Sequence, residues 1–541
     1  MSSKKRIFLY LLAIIFVGCA LRIPSLLVNF VNIDENEVVL AAKILTQGGL
    51  PYRDYMIYQP PLLYYFYALV MVLIPTPELS DSIWWVHVAT FFVVAGTCIA
   101  IYFTAKSVFD DQRKGLFAAL FFAIFSTTYL PQDMLAANIE LIMILPMTLC
   151  VCFFVREKYF LAGLFMGLVL LSKYQGAVLL PALGLYLLIK KRGSAVFPMT
   201  VLLIATALVC ASWAYYLYAK GAWSYAVQCF QYILHYAKGP QQNDWLYITL
   251  KLLLRTTLIG IAGFGLWAFA LKGFRKSFHC PEFLFVLWIV FGFLAIIAGG
   301  RMYFHYYLII YPPLAILAGA QAVDFFERLK HLPFEKTVWR VTIFILMFSL
   351  PVTGFTAYAT YKPFRIKSPK DYWIYVVDYI RDRSAPTDSV LVWGYCPQIY
   401  VASNRNMATR FTTSDYLTGR TPKTAGLEYD PKTLNPPSVW KKLLGDFKTP
   451  SQVIDYDTSD NIFPVAWELF SQDLSNNKPE LIIDTSPSNY RMYGRYPMSK
   501  FPVLDEYVHK NYVFEASIRG MDIYRKKSSV VRNQSSEKKQ R

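Results

Sequence analysis

Charge is scarce in this chain. Only 17% of its 541 residues are Asp, Glu, Lys or Arg, against 55% hydrophobic and 17% aromatic, far too apolar a balance for a protein that must solvate its whole surface. Acids are the scarcer sign, 36 against 54 Lys and Arg for a formal charge of +18. That excess does not indicate nucleic acid, because no basic face accompanies a matching fold signature and the Lys and Arg residues cluster at the ends of apolar runs. The eight cysteines make no disulfide framework, most of them lying in apolar runs with Cys229 and Cys396 outside, and they read as small buried hydrophobes. The six histidines, His87, His235, His279, His305, His331 and His509, include no pair at ligand spacing, so no metal centre is expected. A nucleotide-binding glycine loop is also lacking, as is a clear internal repeat of the kind that marks many secondary transporters. No cofactor is called for.

What is present is a series of long apolar runs, and they make the chain a polytopic membrane protein. A basic start, Lys4-Lys5-Arg6, precedes Ile7 to Val28, about 22 residues and long enough to cross a bilayer. With no clear cleavage site it reads as a retained anchor with a cytoplasmic N-terminus. Further runs lie near 83–105, 116–131, 136–155, 159–172, 176–189, 196–219, 248–271, 282–299, 306–322 and 338–360, making about eleven spans. The short pair between 159 and 189 suggests a broken or re-entrant element. Basic residues alternate between connections: Lys190-Lys191-Arg192 and the Arg328 to Arg340 group fall on one side, while the opposite side holds little beyond Lys173 and Arg301. That alternation sets the orientation.

An odd number of spans places the remainder, from residue 362, on the outer side. There Ser389 to Trp393 and Glu480 to Ile483 read as buried strands, Tyr372 to Arg381 as a helix, and Phe514 to Tyr524 as a closing hairpin. The expected organisation is a membrane domain over 1–361 containing an outer loop at 29–82, a soluble α/β domain over 362–525, and a disordered polar tail over 526–541.

The loop after the first run carries the densest chemistry. Asp34 and Glu35 stand just beyond the span, followed by Val38, Val39, Ala42 and Leu45 at helical spacing, a pattern for a helix lying on the membrane surface. Asp34 suits an N-cap, with Glu37 three residues on near a capping box. Then come Gly48-Gly49-Leu50-Pro51, the cluster Tyr52-Arg53-Asp54, and Gln59-Pro60-Pro61 before an aromatic run; paired prolines most simply start a helix.

This order of an Asp-Glu pair, a surface helix, G-G-x-P-Y-x-D and P-P-L-x-Y-Y resembles the first outer loop of the membrane glycosyltransferases of the protein O-mannosyltransferase and aminoarabinose-transferase group, the GT-C superfamily of glycosyltransferase family 39 type. Leu161 to Pro181 (LAGLFMGLVLLSKYQGAVLLP) resembles the glycine-rich span ending in a lysine, and Gly300 to Pro313 (GRMYFHYYLIIYPP) resembles the Arg-x-x-x-His-Tyr segment. WGYCPQIY, Trp393 to Tyr400, is similar to the outer domain of one bacterial branch. Gln59 departs from the pattern, standing where many relatives have lysine.

The resemblance implies a GT-C fold of about eleven transmembrane helices with a C-terminal non-cytoplasmic α/β domain in the cell (inner) membrane. It also implies transfer of a sugar from a polyprenyl-phosphate donor to a lipid, glycan or protein acceptor at the outer face. Such a reaction needs a base for the acceptor hydroxyl and cations for the departing phosphate. Asp34 matches the family's catalytic aspartate, and Glu35 is expected to orient the acceptor or the loop. Lys173, Arg301, His305 and Arg53 are the candidates for the phosphate; the spacing of Arg301 and His305 would place both on one side of a helix beside the Gly299-Gly300 break. Glu140 and Asp133, too costly to face lipid, are assigned to the cavity or acceptor, with Tyr52 beside them. A divalent ion on Asp34, Glu35 or Glu140 is compatible with these residue types but not expected. Two other classes fit the same features, a lipid-linked glycan flippase and an outer-face ligase or polymerase using diphosphate-linked glycans.

Overall fold

The computed structural model describes residues 2–27, 32–127, 131–238, 245–274, 281–298, 301–361, 373–420 and 458–529. The domain boundary at residue 362, the Gly299-Gly300 break, His279 and the tail beyond Ser529 lie outside the described residues.

The apolar runs form a helical bundle. After α1 (Ser3–Ala20), α2 (Ile33–Thr46) and α3 (Leu62–Leu73) belong to the loop that follows it, and the bundle resumes with α4 (Leu79–Phe109) and α5 (Gln112–Phe125). The single turn α6 (Pro131–Met134) precedes α7 (Ile139–Val155) and α8 (Tyr159–Ser172). Next come α9 (Leu179–Lys191), α10 (Val196–Ala219), α11 (Trp223–Lys238) and α12 (Trp245–Ala262), then α13 (Phe264–Phe274), α14 (Phe283–Ile297), α15 (Tyr311–Leu329) and α16 (Phe334–Tyr361).

Among the described residues four stretches, Lys4–Leu27, Leu79–Phe109, Tyr174–Ala219 and Phe304–Leu329, are long and apolar enough to cross a membrane. The run expected as one span over 248–271 is instead a bent pair, Ile248–Ala262 and Phe264–Phe274 meeting at 104°. The outer surface carries bare aromatics such as Phe16, Phe92 and Phe197, 73%, 76% and 75% exposed, which water would penalise and lipid does not. This is an integral membrane protein.

Small residues let the helices approach. A Cβ on Gly163 would lie 2.3 Å from the Leu202 carbonyl oxygen, and one on Gly319 2.4 Å from the Ala118 nitrogen, so the α8–α10 and α5–α15 crossings are backbone-close. Without a hydrophobic drive between helices in lipid, such packing supplies the association. Between α8 and α9 the chain breaks as expected, at extended Lys173 (φ −154°) followed by the 3₁₀ turn Tyr174–Val178.

The C-terminal domain opens with α17 (Trp373–Arg383), β1 (Ser389–Trp393), α18 (Gln398–Ser403), β2 (Asn406–Met407) and α19 (Asp415–Thr418). Helix Ala466–Asn477 leads to β3 (Leu481–Asp484), and helix Pro502–Asn511 to the hairpin of β4 (Tyr512–Ile518) and β5 (Met521–Lys526). The sheet order is β2-β1-β3-β5-β4, with β1 parallel to both neighbours and the hairpin antiparallel. Strand β1 buries four of its five residues, as a strand covered on both faces should. Because β5 runs through Lys526 and residues 527–529 continue as a helical turn, a polar tail begins later than the expected 526.

The domain seats on the loop that carries α2 and α3. Met56 N–H donates to the Arg410 carbonyl (2.9 Å), Lys43 Nζ to Asn406 Oδ1 (2.9 Å) and Arg410 to the Arg53 carbonyl (2.8 Å).

Candidate active site

The start of α2 differs from the sequence expectation in one informative way. Asn32, not Asp34, is the N-cap: its side chain accepts from Asp34 N–H at 3.1 Å, while Glu35 Oε2 accepts from Asn32 N–H at 3.2 Å. The capping box is therefore Asn32–Glu35, shifted two residues, because Asn32 is the residue with extended backbone. Asp34 is left with an exposed side chain in the first turn, where the helix dipole favours negative charge.

Glu35 has the opposite fate. Only 2% exposed, its Oε1 accepts from Ala137 N–H (2.7 Å) and meets His87 Nε2 (2.6 Å), whose other nitrogen lies 2.8 Å from the Ser25 carbonyl. A carboxylate saturated in this way fixes the loop against α4 and the α6–α7 connection; of its two expected roles, orienting the loop is the one this geometry supports.

Asp34 opens into a cavity of about 490 Å³ that also takes in Glu140, Lys173, Arg301 and His305. Glu140, in the first turn of α7, forms a close ion pair with Lys173 and lies 4.0 Å from His305 Nε2. The Lys173 ammonium sits 4.0 Å from the Tyr306 ring centroid. A buried carboxylate thus holds a buried cation in place, and pairing is what makes either tolerable there. His305 stacks on Tyr303 at 5.5 Å, and its Nδ1 is buried without a hydrogen-bond partner among the described residues.

Arg301 and His305 meet in this cavity but not on one helix face. Residues 301–303 are irregular, Met302 has φ +48°, and a 3₁₀ helix begins at Phe304. Arg255 pins the bend by donating to the carbonyls of Arg301 (3.1 Å) and Met302 (2.6 Å). Asp133 lines the cavity from α6, its carboxyl raised by burial with the His305 charge opposing.

Two expected residues lie elsewhere. Arg53 forms a two-pronged bond with Asp54 (2.8 Å each) and donates to the Lys220 carbonyl (3.2 Å); its adjacent acid claims it. Tyr52 has φ +72°, is 5% exposed and donates to the Gln59 carbonyl at 3.3 Å, so it locks the turn. Neither lines the cavity, whereas Gln59 does.

The C-terminal domain supplies a wall that the sequence did not reveal. Tyr395 donates to Asp34 Oδ1 at 3.4 Å, and its ring lies 5.0 Å from the Arg491 guanidinium. Glu37, one turn along α2, also lines the cavity and bonds Tyr395; burial first, then the Asp34 charge, pushes its carboxyl up to about 8. Arg420, bridged to Asp415 at 3.2 Å, completes this wall. Tyr395 is placed by Gly394, whose φ is +137° and whose N–H donates to Ser414 Oγ at 2.9 Å. The one available signal was the WGYCPQIY string, noticed only as a mark of the domain. Among the described residues no group of three or more His, Cys, Asp or Glu could hold a metal ion.

Residues 58–216 match the family model for dolichyl-phosphate-mannose-protein mannosyltransferases. Among curated proteins, none matches the chain in sequence. The fold is similar to that of ArnT from Cupriavidus metallidurans bound to undecaprenyl phosphate, at TM-score 0.56 and 13% identity over 97% of this chain and 98% of that one. It is also similar to the oligosaccharyltransferase AglB from Archaeoglobus fulgidus in complex with an inhibitory peptide and a dolichol-phosphate, at TM-score 0.53 and 13% identity over 97% and 75%. The helical membrane bundle with its C-terminal α/β domain thus shares the fold of these two proteins, while residues 58–216 match the mannosyltransferase family model.

Proposed function

We propose that this protein transfers a hexosyl or pentosyl group from a polyprenyl-phosphate donor to an acceptor hydroxyl, by a single displacement with inversion, on the non-cytoplasmic face of the cell membrane. The observation that carries the reading is the polarity of one cavity: exposed Asp34 shares it with Lys173, Arg301 and His305. A base and a cationic phosphate cradle are the two things the reaction needs.

In this reading Asp34 takes the proton of the acceptor hydroxyl as its oxygen attacks the anomeric carbon. The carbon–oxygen bond to phosphate breaks on the opposite face, and its electron pair leaves with the polyprenyl phosphate. Arg301, His305 and Lys173 stabilise the charge that gathers there, and Glu140 keeps Lys173 aimed. In this reading the N-terminus is cytoplasmic and the domain after residue 362 is outside, which the basic alternation supports. The lipid-bound states of ArnT and AglB support a lipid phosphate as the leaving group.

The test is release of polyprenyl phosphate from a panel of polyprenyl-phosphate sugars by the purified protein in lipid discs, with membrane extract as acceptor source. Release with one sugar is expected, lowered roughly 10²–10⁴-fold in Asp34→Asn. Unchanged lipid appearing in the opposite leaflet would instead establish a flippase, and activity only with diphosphate-linked glycans a ligase or polymerase.

A further inference from the structure

A second cavity of about 490 Å³ lies between α13, α15 and α16. Helix α15 locates it: its first residue, Tyr311, follows the segment bearing His305 and Tyr306, and it ends at Leu329. Nineteen residues at the helical rise span about 28 Å, close to the thickness of the hydrocarbon core. The cavity, lined by Arg328 from the last turn of α15, therefore stands at the membrane face opposite the candidate active site.

Its lining is divided by chemistry. Phe269, Phe325 and Phe344 form an aromatic floor with ring centroids 5.5 to 6.2 Å apart. Phe264 and Ile343 line it while remaining 53% and 50% exposed, so the cavity opens on the lipid-facing surface. Three cations converge on it from three helices, Lys272 of α13, Arg328 of α15 and Arg340 of α16, all exposed. Among the described residues none has a carboxylate within 4.0 Å, and the acid in the lining, Asp324, has Lys114 Nζ 3.9 Å away.

We propose that this cavity binds the headgroup of an anionic phospholipid, its phosphate held by Lys272, Arg328 and Arg340 and its first acyl carbons lying on the Phe264–Ile343 rim. Charge complementarity selects an anion, and a cavity open to the bilayer through apolar side chains selects an amphiphile. Basic pockets between helices at a membrane face take such headgroups. Cations on three separate helices grip a headgroup whose polar atoms extend beyond one phosphate, which favours a glycerophospholipid over a polyprenyl phosphate. Bound there, the lipid bridges the bent α12–α13 pair to the final two bundle helices.

The full-length protein, stripped of lipid in detergent, is titrated with phosphatidylglycerol, phosphatidylcholine or undecaprenyl phosphate, and bound lipid is counted by native mass spectrometry. Phosphatidylglycerol is expected to be retained roughly tenfold over phosphatidylcholine, and Lys272→Gln/Arg328→Gln/Arg340→Gln to abolish the preference. Lys190→Gln, at the same membrane face beside the Lys191–Glu157 pair but outside the cavity, should leave it intact. Should the triple variant fail to fold, Arg328→Gln and Arg340→Gln singly, both on exposed side chains, must each lower retention severalfold. Equal retention of the two phospholipids, equal loss in Lys190→Gln, or preference for undecaprenyl phosphate overturns the proposal. Because the readout is lipid binding, the outcome is independent of sugar transfer.

Discussion

The Tyr395 hydroxyl lies 3.4 Å from Asp34 Oδ1, joining residues 361 positions apart in the chain. One belongs to the loop after α1 and the other to the turn after β1 of the C-terminal domain, so the domain reaches the candidate base directly. Tyr395→Phe keeps the ring against Arg491 and deletes only the hydroxyl. A hydrogen bond to a charged group contributes about 1.5–3 kcal/mol at good geometry, less at this length, so turnover is expected to fall about tenfold or less with the donor KM unchanged. Steady-state kinetics on the matched sugar donor decide it; wild-type kcat would remove Tyr395 from the site.

Arg301 and Arg53 carry the same charge and are separated by place. Arg301→Ala should lower turnover about 10²–10³-fold, as loss of a transition-state donor does, whereas Arg53→Ala should stay within a few-fold of wild type. Measuring both side by side checks the cavity assignment, since matching losses would contradict it.

Glu140 and Lys173 should behave as a unit. Glu140→Gln leaves a buried ammonium without its counter-ion, a change that typically costs about 3–5 kcal/mol, and its thermal midpoint should drop sharply. The double variant Glu140→Leu/Lys173→Met removes both charges and should recover much of that loss while remaining inactive. Thermal unfolding in detergent reads the first effect, and donor turnover the second.

Glu37 predicts a pH dependence. Burial, with the Asp34 charge beside it, pushes its folded carboxyl up to about 8 from the ordinary 4.5. Between those values the folded state holds a proton the unfolded state has released, so stability falls as pH rises through that window. Glu37→Gln should flatten this part of the profile, becoming relatively more stable than wild type above about pH 8. Thermal midpoints of both proteins from acid to alkaline pH would show the curves diverging; parallel curves would exclude Glu37 as the titrating group.

Gly394 should tolerate no side chain. At φ +137° an added Cβ would lie 1.9 Å from Thr485 Oγ1, and a strained left-handed backbone costs about 1–3 kcal/mol before that clash. Gly394→Ala should destabilise the outer domain and displace Tyr395, lowering activity further than Tyr395→Phe; proteolysis of the domain together with turnover measures this.

The sequence by itself determined the parts that depend on local composition. Apolar length and all-round hydrophobicity mark a membrane helix wherever it packs, so the bundle was legible, and short continuous apolar runs marked the buried strands β1 and β3. Asp34 stood out as an acid just beyond a span in a helix-forming stretch, while its role as base came from the family resemblance and stands as a proposal. Tertiary structure decided which charges face one another. Arg53 carries the same charge as Arg301, yet Asp54 beside it takes up its donors, while Arg301 is turned into the cavity by a bend that Arg255 holds. The cap moved from Asp34 to Asn32 because backbone conformation, not residue type alone, selects the N-cap. Tyr395, Glu37 and Arg491 gained a place in the site only when the outer domain settled on the loop, an arrangement built from bonds such as Met56 to Arg410 that span hundreds of residues. Periodicity and spacing report neighbours along the chain; a cavity is made of neighbours in space.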